Sequence, residues 1–401
     1  MNRWITIVGI GSDGVEGLGT RAREVITDAE ILIGGERHLA LVPEGAAARA
    51  IWGKDFEQGV AAIRAHEGKR VVVLASGDPL NFGVGVTLVQ RFGVEAVEIM
   101  PAPGAFSLAA ARLGWSIPDV TCLTVHGRAL EVVNLHLRPG GRLLILSWDG
   151  TTPGKMATQL RAKGYGPSKL TVLENMGGAL ENRIDGYAET WSADETASLN
   201  TIAVELKANV ATPVWSRAAG LPEAAFRHDS MITKREVRAL TLAALAPLPG
   251  EMLWDVGAGN GSIAIEWLRL SSFARAIAIE KNPSRAENAR FNARELGVPG
   301  LEVIEGEAPA AFADLADDPD AIFAGGGLTA ALLSACWVRL KGGGRLVANA
   351  VTVEGQAALL AQRDAQGGEL IKVAVSREGP VGPRAAMKPL MEVWQLQVTK
   401  T

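Results

Sequence analysis

The sequence predicts an α/β protein with mostly parallel sheets, divided into two domains near residue 212. Three observations lead there. Short apolar runs that end in glycine, serine or an acid alternate with segments of helical spacing along most of the chain. Glycine-rich turns follow two of these runs, after Val8 and after Val256. The stretch Lys207 to Leu221, with Pro213 and Gly220, interrupts the alternation and marks a boundary. At 401 residues the chain is long enough for each part to bury its own core.

The elements follow in order. Trp4 to Gly11 reads as a buried strand entering a loop rich in glycine, and Thr20 to Ala29 as a helix with Ala22, Val25, Ile26 and Ala29 on one face. Ile31-Leu32-Ile33 is a short strand stopped by Gly34-Gly35. Helical segments are expected near 56–66, 84–92 and 105–113. Strands are expected at Arg70 to Ala75, ending in Ser76-Gly77-Asp78-Pro79, and at Val97 to Met100. A second lobe begins after a break near 118, with strands at 121–125, 143–146 and 170–173, a helix from Thr152 to Lys163, and last strands at Tyr187 to Trp191 and Thr201 to Leu206. Past the boundary, Thr233-Lys234-Arg235-Glu236 has the spacing of a capping box opening a helix that runs through Val237, Leu240, Leu242 and Leu245 to Pro247. Strands then recur at 253–256, 276–279, 301–304, 320–324 and 345–350, with a helix at 287–296. The two late runs, 371–375 and 390–398, have no clear helix between them, so they are expected to form an antiparallel hairpin at the sheet edge.

Composition excludes several classes. Apolar residues make up 48% and charged residues 21%, as in an ordinary globular enzyme. The net charge of −4 divides as about −3 before the boundary and about −1 after it, so no basic stripe points to nucleic acid. Cys122 and Cys336 lie in apolar runs and are expected to be free thiols, and no metal-ligand spacing is present. No signal peptide and no transmembrane segment is expected, so the protein is expected to be cytoplasmic and without a membrane partner.

The run Leu253-Trp254-Asp255-Val256-Gly257-Ala258-Gly259-Asn260-Gly261-Ser262 has the pattern of strand, tight turn and helix, in which amides approach a nucleotide-like group. Glu280 ends the following strand, where its carboxylate can accept from ribose hydroxyls. The glycines at 257, 259 and 261 do not fit the dinucleotide spacing Gly-x-Gly-x-x-Gly. Asp255 stands where an acid can meet a cationic amino-acid group, and Glu307-Ala308 follows the third strand, where adenine would lie. Together these favour S-adenosylmethionine over a nicotinamide dinucleotide. The segments 254–262, 305–309, 343–354 and Thr233-Lys234-Arg235-Glu236-Val237-Arg238-Ala239-Leu240 closely resemble the decarboxylating precorrin methyltransferase domain of vitamin B12 synthesis. Asn260 replaces the usual Thr and Glu307 the usual Asp. The resemblance covers nearly all of 221–401 and implies a Rossmann-like class I methyltransferase fold.

Residues 1–206 resemble the tetrapyrrole methylase family, on the strength of Val8-Gly9-Ile10-Gly11, Ala75-Ser76-Gly77-Asp78-Pro79-Leu80, Pro103 to Arg112, and His126-Gly127-Arg128. That family has two α/β lobes with S-adenosylmethionine in the cleft between them. The likeness implies cofactor contacts at Gly9, Gly77, Asp78, Pro79, Ala105 and His126. Many relatives carry a serine pair where this chain has Pro103-Gly104-Ala105. Read on its own, Gly77-Asp78-Pro79 is also compatible with a plain type I turn, and His126 with a structural loop histidine.

Taken together, the resemblances imply one S-adenosylmethionine per domain, acting on a precorrin. The activity implied is methylation of precorrin-6B at C5 by domain 1–212, and decarboxylation of the ring C acetate with C15 methylation by domain 213–401, giving precorrin-8. Arg227, Lys234 and Arg235, around the helix start, are the candidate anchors for substrate carboxylates. By the same analogy the chain is expected to form a homo-oligomer. A methyltransferase fusion acting on another planar substrate and an NAD(P)-dependent oxidoreductase stay open as alternatives at this point, and the residues single out no catalytic acid or base.

Overall fold

A computed structural model describes residues 3–53, 55–193 and 195–401. The chain divides into two units, one comprising the chain to Arg128 together with Arg138–Thr212, the other Ala129–Leu137 together with Pro213–Thr401. Among the described residues no helix is long and apolar enough to cross a membrane.

The first unit contains two sheets. Its first lobe runs β1 (Ile5–Ile10), α1 (Thr20–Thr27), β2 (Ile31–Gly34), α2 (Glu36–Ala40), β3 (Ala48–Ile51), α3 (Phe56–Arg64), β4 (Val71–Ser76), α4 (Gly85–Phe92), β5 (Val97–Met100) and α5 (Ala105–Leu113). The strands are parallel in the order β3-β2-β4-β1-β5, so the loops after β1, β4 and β5 emerge side by side at one sheet end. Nearly every residue of β1, β2 and β4 is buried, as expected for strands covered on both faces. The second lobe has β6 (Thr121–Thr124), β7 (Arg142–Leu146), α6 (Thr152–Ala162), β8 (Lys169–Glu174), β9 (Asn182–Tyr187) and β10 (Asn200–Glu205). Its order is β6-β7-β10-β8-β9, parallel only between β6 and β7. The run expected as a strand at 187–191 turns out to be the end of β9 followed by a 3₁₀ turn at Ala188–Thr190. The Ala188 amide still continues the β8–β9 ladder onto the Ser168 carbonyl, and the chain turns at the next residue, where the Glu189 amide shifts to the Gly166 carbonyl.

The second unit runs α7 (Arg235–Leu245), β11 (Met252–Val256), α8 (Ser262–Leu270), β12 (Arg275–Glu280), α9 (Pro283–Glu295), β13 (Glu302–Glu305), β14 (Ala321–Ala324), α10 (Ala330–Arg339), β15 (Arg345–Ala350), α11 (Val353–Gln366), β16 (Glu369–Val373), β17 (Ser376–Val381), β18 (Arg384–Pro389) and β19 (Val393–Thr399). Its sheet has the order β13-β12-β11-β14-β15-β19-β16, parallel through β15 and antiparallel at β19 and β16. The two late strands do pair antiparallel. They are not a simple edge hairpin, because β17 and β18 form a separate hairpin between them and β19 lies inside the sheet.

Two buried polar devices fix this unit. Asn349 on β15 and Gln395 on β19 are register partners, and the Gln395 amide donates to the Asn349 carbonyl at 2.9 Å. Both amides also donate to Thr241 Oγ1 on α7, at 2.8 and 3.0 Å. A shift of β19 by one residue would turn Gln395 off this face and take the donor from the buried Asn349 carbonyl. The second device is the ion pair between Arg238 on α7 and Glu266 on α8, 2.6 Å apart with both side chains essentially inaccessible. The Glu266 carboxylate also accepts from the amides of Gly220 and Leu221, at 2.6 and 3.0 Å. Arg238 donates further to the carbonyls of Thr233 and Leu221.

The capping box expected at Thr233 is not formed. Helix α7 begins one residue later, with Lys234 at its N-cap and no side-chain cap. Glu236 pairs with Arg377 of β17 instead, and Arg377 also holds Glu223 at 2.8 Å. A charge-assisted bond to a guanidinium outcompetes a bond to one neutral amide.

Removing one partner of a buried pair leaves the other charge stranded. Glu266→Ala is therefore expected to lower the unfolding free energy by about 3–5 kcal/mol. Urea denaturation followed through tryptophan fluorescence measures it, since Trp254 and Trp267 are buried in this unit. The double variant Arg238→Met/Glu266→Leu should recover much of the loss.

Candidate functional site

In the second unit the turn after β11 takes three glycines through positive φ, +70° at Gly257, +58° at Gly259 and +80° at Gly261. Two of them are also confined. A Cβ on Gly257 would meet the Gly326 amide at 3.2 Å, and one on Gly261 would meet Ala289 Cβ at 2.9 Å. At Gly259 a Cβ would face open space, with nothing nearer than the Met231 carbonyl at 3.9 Å. The middle of the turn is thus open while its two ends are packed. The Gly257 and Ala258 amides are held by the Ile279 carbonyl, at 3.0 and 3.1 Å. Ser262, buried, opens α8.

Two carboxylates frame this turn. Glu280, at the end of β12, is buried and accepts from the amides of Gly259 at 2.7 Å and Asn282 at 2.8 Å, one on each oxygen. Each oxygen keeps a further lone pair. Asp255 is completely buried. Its Oδ2 accepts from the Ala264 amide at 3.0 Å, while its Oδ1 has no partner. Burial, opposed in part by that amide and reinforced by the charge of Glu280, pushes its carboxyl up to about 7. Buried carboxylate oxygens are seldom left unpaired, and this one could receive a cationic or donor group.

Asn260 is a hub. Its amide donates to Met231 O at 3.0 Å and to Asp229 Oδ1 at 3.2 Å, and its side-chain carbonyl accepts from Asn288 at 2.9 Å. The Asn292 amide bonds the Asn260 backbone carbonyl at 3.0 Å. Segment 229–231 is thereby pinned over the turn, and the Arg285 guanidinium 2.7 Å away holds Asp229 down to about 2. Asp229, Asn288 and Asn292 are absent from the sequence reading. Two of them sit on α9, whose mixed polarity gave no motif.

The remaining second-unit candidates are dispersed. Glu307 is exposed and paired with Lys281 at 3.0 Å, next to Ala308, which packs on the core. Arg227 is already engaged: its guanidinium donates to Asn288 Oδ1 at 2.6 Å and lies 4.1 Å from the centroid of the Phe291 ring. Lys234 and Arg235 flank the start of α7, and among the described residues their side chains have no hydrogen-bonding partner.

In the first unit the loops after β1, β4 and β5 touch backbone to backbone. The Gly77 amide donates to Ile10 O, and Gly77 O accepts from the Ala102 amide. A Cβ on Gly9 would fall 1.9 Å from Gly77 O, so the sequence Gly9-Ile10-Gly11 tolerates no side chain at its start. Asp78 Oδ1 accepts from the Leu80 amide at 2.9 Å and shapes the turn. These loops open on a cleft of about 680 Å³ between the two lobes. Gly77, Asp78, Ala105 and His126 line it, whereas Gly9 and Pro79 stand behind the wall. His126 is exposed, and its own amide is held by Thr124 Oγ1.

The cleft also contains residues the sequence reading passed over. Arg37 and His38, just beyond the Gly34-Gly35 stop, meet Ser76 from β4. Burial, with help from Arg37, lowers the His38 ring to about 4. Phe82 and Asn175 line the cleft at φ of +56° and +46°, a conformation that costs energy outside glycine and concentrates at functional sites. The glycine stop after β2 was the only signal that Arg37 and His38 occupy a strand-end loop.

Residues 5–190 match the family of tetrapyrrole (corrin/porphyrin) methylases, and residues 224–400 match the precorrin methyltransferase domain family. Along 399 residues the chain is 48% identical to a Sinorhizobium precorrin-6Y C(5,15)-methyltransferase [decarboxylating], covering 99% of this chain and 96% of that one. The chain belongs to the decarboxylating precorrin-6Y C5,15-methyltransferase family. Methyltransferases of this family use S-adenosylmethionine. Two shorter relatives each resemble part of such a chain. A cobalt-precorrin-7 C(5)-methyltransferase from Salmonella typhimurium is 32% identical over 50% of this chain and 98% of its own. A probable cobalt-precorrin-6B C(15)-methyltransferase (decarboxylating) from Saccharolobus solfataricus is 36% identical over 34% of this chain and 71% of its own.

The raised carboxyl of Asp255 has a consequence for stability. A group that binds its proton more tightly folded than unfolded favours the folded state while protonated. Between about pH 4 and pH 7 only the folded state holds this proton, so the stability contributed by Asp255 falls as pH rises across that window. Asp255→Asn is expected to remove this dependence, gaining on wild type by up to about 1.4 kcal/mol per pH unit. Denaturant midpoints of both proteins from pH 4.5 to 7 measure the difference.

Proposed function

We propose that this chain converts precorrin-6B to precorrin-8, methylating C5 and C15 and releasing the carboxyl of the ring C acetate as CO2. The chain would carry one S-adenosylmethionine per unit, with C5 methylation assigned to 1–212 and decarboxylation with C15 methylation to 213–401. The observation that carries this reading is the duplication of cofactor architecture: an open glycine turn framed by Asp255 and Glu280 in one unit, and the cleft at the β1, β4 and β5 loops in the other. Relatives that bear the C5 and C15 names as separate, shorter proteins support the division.

The residues present fit the cofactor. Asp255 Oδ1, unpaired and buried, suits an ammonium, and the free lone pairs of Glu280 suit a ribose diol. Gly259, with nothing against it, lets the group approach the backbone. In the first unit the corresponding contacts are assigned to Gly77, Asp78, Ala105 and His126 at the cleft, with Gly9 and Pro79 shaping the wall behind them. S-adenosylmethionine supplies an electrophilic methyl group on a sulfonium. A meso carbon of enamine character is already nucleophilic, so the task of the chain is orientation more than acid–base chemistry. In the decarboxylation, the electron pair of the breaking C–C bond enters the conjugated macrocycle as CO2 leaves, and the methylene then takes up a proton. Lys234 and Arg235, the cations with free hydrogen-bonding capacity at the start of α7, are assigned to the substrate carboxylates of this unit. Arg227, already held by Asn288 and Phe291, orients the segment before them. A homo-oligomer is proposed by analogy with related domains.

Mass spectrometry of the product from precorrin-6B and S-adenosylmethionine tests the whole reading. Two methyl groups gained and one CO2 lost is the expected result, and a product lacking the CO2 loss would refute the role of the second unit. Calorimetric titration with S-adenosylhomocysteine should give two sites per chain. The second-unit site should weaken as pH falls from 8 to 6, by up to about tenfold per pH unit below the Asp255 titration, because protonation removes the charge that meets the ammonium. In Asp255→Asn that pH dependence should disappear.

A further inference from the structure

We propose that Arg37, oriented by Ser76 and His38, anchors a side-chain carboxylate of the tetrapyrrole in the cleft of the first unit. The inference rests on the functional reading above and assigns residues to the substrate side of its first site. Arg37 Nη2 donates to Ser76 Oγ at 2.9 Å and lies 3.0 Å from His38 Nε2, while Ser76 Oγ lies 2.8 Å from the same nitrogen. A guanidinium has only donors, so His38 Nε2 must be the acceptor. The ring is therefore neutral, with its proton on Nδ1, and Ser76 directs its hydroxyl hydrogen to Nε2. Both partners of Arg37 are uncharged. Among the described residues no carboxylate pairs with it, and its Nε and Nη1 hydrogens have no partner.

The cleft has an excess of positive charge. Of the residues lining it only Asp78 is acidic, and one Asp78 oxygen is taken by the Leu80 amide. Across the cleft the second lobe contributes another arginine without a carboxylate, Arg128, stacked 5.5 Å from the centroid of the Phe82 ring. Two uncompensated guanidiniums in a cleft also lined by Phe82 and Trp148 suit an apolar ring system with a carboxylate periphery.

S-adenosylmethionine also has a carboxylate. Sheet order separates the two sources. Strand β4 lies between β2 and β1, so Arg37, which follows β2, stands on the far side of β4 from the Gly9 and Pro103 loops. Of the proposed cofactor contacts, all but His126 in the second lobe lie at the ends of β1, β4 and β5, whereas Arg37 stands at the end of β2.

The test uses the full chain, with Arg37→Ala, Arg37→Lys and wild type compared by product mass spectrometry and by titration with S-adenosylhomocysteine. Arg37→Ala should raise the KM for tetrapyrrole in the C5 step by about 10- to 100-fold, the usual cost of deleting a charge-assisted hydrogen bond, with kcat changed little. Arg37→Lys should recover part of the loss. S-adenosylhomocysteine affinity and the decarboxylation step should not change. A fall in S-adenosylhomocysteine affinity at an unchanged tetrapyrrole KM overturns the inference, because the carboxylate is then the cofactor's. An unchanged KM in Arg37→Ala overturns it alone, while a wild-type chain that methylates no precorrin overturns the functional reading and this inference with it.

Discussion

The second unit depends on a charge that has been taken out of water. Glu266 and Arg238 are both buried, and each would be costly alone. Their bond joins α8 to α7, and the remaining oxygens and nitrogens hold the Gly220-Leu221 backbone and the Thr233 carbonyl. Helix α8 is also the helix that starts at Gly261. Its position sets where the turn amides point, so the geometry around Asp255 and Glu280 is inherited in part from a pair that solvent scarcely reaches. The strength of such a pair is not mainly in net stability. It defines one arrangement, because any other leaves a buried charge unpaired.

The two units bring backbone close to a ligand by different means. The second uses positive φ: three glycines turn the chain sharply, and Glu280 clamps Gly259 and Asn282 to keep the turn from relaxing. The first uses the absence of side chains at loop crossings, where Gly9, Gly77 and Gly104 pass within contact distance of one another's loops. In one unit the carboxylates are the rigid part and the glycines supply the shape. In the other, backbone contact is rigid, and side chains such as Phe82, Arg128 and His38 give the cleft its chemistry.

Local signals carried the parallel sheets well. Apolar runs ending in glycine, serine or an acid marked β1, β4, β11 and β12 to within a residue or two, because strands buried on both faces are mostly apolar. Asp255 and the three glycines were readable because their spacing within one strand-turn-helix unit fixes their geometry, and Glu280 because it ends the strand that follows. Long-range choices were not readable. Glu236 has the right spacing for a capping box, but its carboxylate went to Arg377, which lies far along the chain. The hub around Asn260 draws on Asp229, Asn288 and Asn292, polar residues whose meeting depends on how α9 packs. Arg37 and His38 were hidden likewise, since only the pairing of β2 beside β4 brings them to Ser76.

The order of β15, β19 and β16 has a consequence for how the chain is made. Strand β16 is synthesised before β19, yet among the described residues β19 is its sole sheet neighbour. Until the hairpin of β17 and β18 has emerged and β19 has slotted into place, β16 is an orphan and the free ladder of β15 is open to any passing strand. Glu369 and Lys372 on β16 give that waiting segment charge of both signs, which discourages pairing with a second nascent chain. Ribosomal pausing within the hairpin would therefore prolong the interval in which β16 and that edge of β15 are unpaired.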